Sequence, residues 1–216
     1  MGRPLPGRAA VALMVCLVIP AAAGCGAEPA RGSKRAIGSE RYHASSDLPG
    51  LVLRLRERPE GTELREDLSG RQGLERFLPT SCCLGLQAAF DEAGFQIAHV
   101  RVFERPGHSA DPIDTRPGWE VAESTAALFL DEEGAAQAMD VWVGEVRTPF
   151  LETVDLRLGE EAVGLTGSPE SAAERMFFFV WRRGRLLLSL RASTGVGTVS
   201  VDRVRVLAER MDARAR

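Results

Sequence analysis

Residues 176–181, MFFFVW, and 186–190, LLLSL, are two apolar runs separated by Arg182-Arg183-Gly184-Arg185. This is the pattern of a β-hairpin with glycine in its turn. Side chains alternate between the two faces of a strand, and MFFFVW is apolar at every position, so both of its faces are apolar. Such a strand belongs at the centre of a sheet.

The other elements are built around this hairpin. Residues 51–56, LVLRLR, alternate at strand period and predict a half-buried strand. Residues 63–78 carry a helical pattern interrupted by Gly70 and Gly73 and ended by Pro79. A second helix is predicted over 81–93, with Cys83, Leu86 and Phe90 near one face and Gly94 as its stop. Residues 95–104 read as a strand, largely apolar apart from Gln96, His99 and Arg101, and 105–118 as a long Pro/Gly/Asp loop. A further strand over 119–130 leads to a helix opened by Asp131, Glu132 and Glu133, acidic at its positive end. Ala135, Met139, Trp142 or Val143, and Val146 form the apolar stripe of that helix, which reads as core and not as a ligand box. Val154, Leu156 and Leu158 alternate as a strand that resumes over 162–166. The chain closes with a helix from about Ser200, with Val201, Val204, Leu207 or Ala208, and Met211 on one face. Short turns between strands predict an α+β fold: a mainly antiparallel sheet with helices packed on one face, a two-layer sandwich.

The helix DEEGAAQAMDVW, the corner Leu158-Gly159-Glu160-Glu161-Ala162, the hairpin VWRRGRLLLSL and the closing amphipathic helix together span residues 119–211. As a set they resemble a broad group of bacterial envelope lipoproteins with no agreed activity. The domain is also similar to small PsbP-like sandwich folds and to the extracytoplasmic sensor domains of actinobacterial kinases. The resemblance implies a fold; it implies no catalytic residue.

At the other end of the chain, Arg3 and Arg8 precede the uncharged run 9–25, AAVALMVCLVIPAAAGC. A basic start, an apolar middle and a small-residue exit are the parts of an export signal, and the run is short of the about 20 apolar residues that span a bilayer. Ala22-Ala23-Gly24-Cys25 resembles the lipobox of bacterial lipoproteins, which implies cleavage before Cys25 and acylation of that cysteine. Lipoboxes usually have leucine where this chain has Ala22, and Ala21-Ala22-Ala23 also fits ordinary secretion, so a soluble product stays open. The expected organisation is a signal over 1–24, the lipidated Cys25 and a flexible tether over 25–50, and one globular domain over 51–216. As a Gly/Ser-type coil the tether reaches about 25 to 30 Å.

Formal charge is −3, from 27 basic and 30 acidic residues; without Arg3 and Arg8 the counts are 25 and 30, or −5. This mild acidity argues against nucleic acid as a partner. Lys34 is the one lysine and asparagine is absent, a bias that fits a GC-rich bacterial genome.

With Cys16 in the signal and Cys25 acylated, Cys82 and Cys83 remain. Three states are open for the pair: reduced and buried, joined as a strained vicinal disulfide, or paired to something else or redox-active. The C-x-x-C spacing of redox chemistry is missing. Other candidates have bland readings beside them. His108, Asp111 and Asp114 sit three apart in a loop, where solvated residues around two prolines are the simpler account. His99 reads as a sheet histidine, and Glu160 and Glu161 as strand neighbours on opposite faces. Gly195-Val196-Gly197-Thr198-Val199-Ser200 is one glycine short of a dinucleotide fingerprint and lacks a following strand. Arg182, Arg183 and Arg185 form a basic hairpin tip. No metal or cofactor is expected. The leading expectation is a membrane-tethered, non-enzymatic envelope protein that binds or senses a small molecule or a protein. The alternative is an envelope enzyme, using Cys82 and Cys83 for thiol redox or the His108 loop for hydrolysis.

Overall fold

The computed structural model describes residues 44–107, 117–168, 174–195 and 197–216. The chain enters through helix α1 (Leu48–Leu51), a 3-10 turn at Leu55–Glu57, the short strands β1 (Glu63–Leu64) and β2 (Gly70–Gln72), and helices α2 (Leu74–Phe77) and α3 (Thr80–Glu92). Strands β3 (Phe95–Glu104) and β4 (Trp119–Phe129) lead to helix α4 (Glu132–Val146). Strands β5 (Leu151–Val154), β6 (Glu161–Gly167), β7 (Glu174–Arg183) and β8 (Leu186–Gly195) and helix α5 (Val201–Arg214) complete the fold.

The strands form one sheet in the order β1-β3-β4-β8-β7-β6-β5, with β2 also paired along β3. Every pairing is antiparallel. The hairpin β7–β8 lies near the middle, with Phe179 opposite Leu190 and Trp181 opposite Leu188. The α+β class and the antiparallel sheet are those the element order predicts.

Helices cover both faces of the sheet, so the layering is not that of a two-layer sandwich. Phe177, Phe179, Trp181, Leu186, Leu188 and Leu190 pack on one face with Leu48 and Leu51 of α1 and Val204, Leu207, Ala208 and Met211 of α5. Phe178, Val180, Leu187, Ala127 and Phe129 point the other way, onto Phe90 of α3 and Ala135, Ala138, Met139 and Trp142 of α4. The run MFFFVW supplies apolar side chains to both cores, and each core needs its own helices to exclude water. Trp142 lies edge-on to Phe90 and Phe178, with centroids 5.7 and 5.5 Å away, so the Met and Trp stripe of α4 is core.

Both long helices behind strands start on caps visible in the sequence. The Asp131 carboxylate accepts from the Gly134 N–H at 2.8 Å, and the Ser200 hydroxyl accepts from the Arg203 N–H at 3.4 Å. Gly134 also lets the first turn of α4 meet the end of α3: a Cβ there would fall 2.0 Å from the Ala93 carbonyl oxygen.

Two early segments depart from the sequence reading. Residues 51–56 do not form a strand. Leu51, Val52 and Leu53 are buried in succession while Leu55 is 63% exposed. Their backbone is held by side chains and not by a ladder: Arg214 donates to the Val52 carbonyl at 2.9 Å, Arg101 to the Leu53 carbonyl at 2.5 Å, and the Leu53 N–H donates to the Ser124 hydroxyl at 3.1 Å. Residues 63–78 hold two short strands along β3 and the one-turn α2 in place of a helix, since Gly70 at φ +112° cannot continue a right-handed turn. Further on, β5 ends at Val154, and residues 155–158 run without regular structure toward the buried Leu158.

Candidate ligand groove

Several residues nominated by the sequence fall outside the described residues: Cys25, His108, Asp111, Asp114 and the side chain of Cys82. Cys83 is half-buried at a kink in α3, where its own backbone leaves helical geometry at φ −136°, ψ 33°. His99 lies on β3 opposite Ala126 and Arg71. Burial, helped by the charge of Arg101, pushes its pKa down, so it is neutral at pH 7. Among the described residues no three His, Cys, Asp or Glu side chains gather as a metal site.

The basic hairpin tip is neutralised by long-range partners. Arg182 pairs with Glu160 at 2.9 Å and with Glu161 at 3.7 Å, so the two neighbouring glutamates converge on one guanidinium instead of facing apart. Glu160 stands in the bend before β6, outside the strand alternation. Arg183 forks onto the buried Asp212 of α5, Nε and Nη2 donating at 2.6 and 2.7 Å. Burial alone would raise the Asp212 pKa. The hydrogen bonds and charge of Arg183, with the Gly159 N–H and Arg216, outweigh it and hold the carboxyl below its ordinary range. The glycine-rich segment before α5 is a stitched connection: the Thr198 hydroxyl donates to the Gly195 carbonyl at 2.6 Å and accepts from the Gly118 N–H at 3.0 Å.

Arginines that pair with no carboxylate among the described residues gather elsewhere. The apolar stripe of α5 faces the sheet, and beside it Arg203, Val206 and Arg210 follow one another at helical spacing on an outward strip. Across from them stands the turn that carries Arg56, Glu57, Arg58, Pro59 and Glu60. Between turn and helix lies an open cavity of about 360 Å³, lined by those five residues, by Arg203, Val206, Leu207 and Arg210, and by Trp119 from the start of β4. Trp119 is 4% exposed and Val206 43% exposed, so the floor is aromatic and closed while one wall offers apolar surface.

The turn is anchored through Glu57. Its carboxylate accepts from the Arg54 N–H at 2.8 Å and from Arg214 of α5 at 2.7 Å. Burial opposes ionisation of Glu57, but the Arg54 N–H and the Arg214 guanidinium prevail and lower its pKa. That leaves Arg56, Arg58, Arg203 and Arg210 facing the groove, and among the described residues no carboxylate pairs with them. Glu60, on the exposed rim, is the remaining acid of the lining. The groove is therefore a cationic cleft with an apolar strip, suited to binding. The side chains that line it include no serine, cysteine or histidine.

Sequence reasoning missed this site. Its trace was there, in Arg54, Arg56 and Arg58 at alternate positions and in Arg203 and Arg210 two turns apart on one helix, but nothing local says which arginines stay unpaired.

The fold and groove define an antiparallel sheet between two helical layers, with a basic cleft at the rim of one layer. No family model matches the chain, and no curated protein matches it in sequence. A solved structure does share the fold: the extracellular domain of PknH from Mycobacterium tuberculosis, with a TM-score of 0.51 over 82% of this chain and 98% of that one, at 10% identity. At that identity the likeness is one of fold and carries no residue across.

Proposed function

We propose that this chain is an extracytoplasmic binding domain, held at the membrane by acyl chains on Cys25, which recognises its ligand in the groove between the 55–60 turn and α5. Its role is recognition, for sensing or delivery, without bond-making chemistry. The observation that carries this reading is the set of four guanidiniums, Arg56, Arg58, Arg203 and Arg210, that line one cavity with no carboxylate partner among the described residues. An anionic ligand bound there would meet four positive charges that no described carboxylate pairs with. The compartment is supported by the signal-like run 9–25 and by the shared fold with a domain that is itself extracellular. Among the described residues no helix is long and apolar enough to cross a membrane.

Native mass spectrometry of the protein purified from its own cells tests the reading. A bound species of defined small mass, present on the wild type and lost from an Arg203→Glu/Arg210→Glu variant, is the expected result. A bare wild type, or a species retained by the variant, would contradict it.

A further inference from the structure

We infer that the groove takes a phosphate monoester, an inference that rests on the groove being the ligand site. Two guanidiniums stand on each wall: Arg56 and Arg58 on the turn, Arg203 and Arg210 on α5. Arg203 and Arg210 are seven residues apart, or about 10.5 Å along the helix axis, and Val206 lies between them. A single carboxylate offers two oxygens, which one guanidinium fork satisfies, leaving the other three arginines without an acceptor. A phosphoryl group carries about −1.5 to −2 charge and three acceptor oxygens, so it engages guanidiniums from both walls at once. The floor and the α5 wall then set what the phosphate is attached to. Val206 and Leu207 present carbon beside the charges, which suits an ester with an apolar or glycerol-like portion over a bare ion. A cavity of about 360 Å³ is near the lower end for small-molecule sites, so the recognised part is of headgroup size. The same phosphomonoester chemistry occurs in a soluble phosphate ester and in the headgroup of phosphatidic acid, whereas a phosphodiester headgroup has one charge and two free oxygens, no more than a carboxylate.

Titration calorimetry on the full chain in neutral detergent tests this, with inorganic phosphate, glycerol 3-phosphate, micelles doped with phosphatidic acid, and citrate as a polycarboxylate control. Two paired variants are compared with wild type, Arg203→Gln/Arg210→Gln on the helix and Arg56→Gln/Arg58→Gln on the turn; both sets are solvent-facing, and a thermal melt verifies their folding. Saturable binding of glycerol 3-phosphate, weakened about tenfold or more by either variant, supports the inference with a soluble source. Binding to doped micelles alone, with the same dependence on both variants, supports it with a lipid source. Citrate binding that depends on the arginines, with no response to any phosphate probe, overturns the phosphate inference and leaves the groove as a ligand site. No binding of any probe, or binding that both variants retain, overturns both.

Discussion

Replacing Asp212 by asparagine removes one charge and almost no volume from the contact that ties α5 to the hairpin tip. Asp212 is 1% exposed and accepts from Arg183 at 2.6 and 2.7 Å, from the Gly159 N–H at 3.0 Å and from Arg216 at 3.3 Å. Breaking a buried ion pair by removing one partner costs about 3–5 kcal/mol, because the other charge is left uncompensated. The Arg183 side chain is 22% exposed and recovers some hydration, and Arg216, largely exposed, adds little, so about 2–3 kcal/mol is expected. In urea, with a slope of about 2 kcal/mol/M, the midpoint falls by about 1–1.5 M. A cycle with Arg183→Met separates the pair from the packing: the double variant should be more stable than the sum of the two losses by about 2 kcal/mol. The pH dependence has a definite sign. Asp212 has a lower pKa folded than unfolded, so its contribution is fully present above the unfolded value near about pH 4 and is lost as pH falls through the folded one. The gap between wild type and Asp212→Asn should therefore be full at pH 7 and close in acid. A loss under about 0.5 kcal/mol at pH 7, or a gap that persists unchanged in strong acid, would refute the reasoning.

Three further outcomes are expected. Gly134→Ala places a methyl 2.0 Å from the Ala93 carbonyl oxygen and must push α4 off α3, costing about 1–3 kcal/mol in chemical denaturation, where an exposed Gly→Ala in a helix would stabilise. Arg214→Met frees the Val52 carbonyl and the Glu57 carboxylate together, so amide exchange over 52–58 should speed up at least about tenfold while β7 and β8 keep their protection. Cys25→Ser should move the protein out of the membrane fraction, and a variant that still pellets with membranes would remove the acyl anchor from the account.

What the sequence made legible was local. The hairpin shows because MFFFVW and LLLSL flank a short glycine turn, and α4 and α5 show because Asp131 and Ser200 cap strongly periodic segments. The leucine alternation of residues 51–56 misleads, since an irregular segment whose carbonyls are taken by Arg101 and Arg214 carries the same pattern as a strand. Amphipathic spacing also says that α4 and α5 each bury one side, but not that they lie on opposite faces of the sheet. Charge pairing is the least local property of all. Arg182 and Arg183 look free at a hairpin tip and are held by Glu160, Glu161 and Asp212. Arg203 and Arg210, on a helix that also carries Asp202 and Glu209, look easily neutralised, yet among the described residues no carboxylate pairs with them; Asp202 pairs instead with Arg205 at 2.7 Å. The groove follows from that long-range sorting, which no window of sequence contains.

The central claim, that the 55–60 turn and α5 enclose the ligand site, is tested most directly by hydrogen–deuterium exchange of the full chain with and without saturating glycerol 3-phosphate. Slowed exchange confined to residues 55–60 and 201–210 is the expected result. Slowed exchange centred on another part of the sheet or on the α3–α4 layer would contradict it.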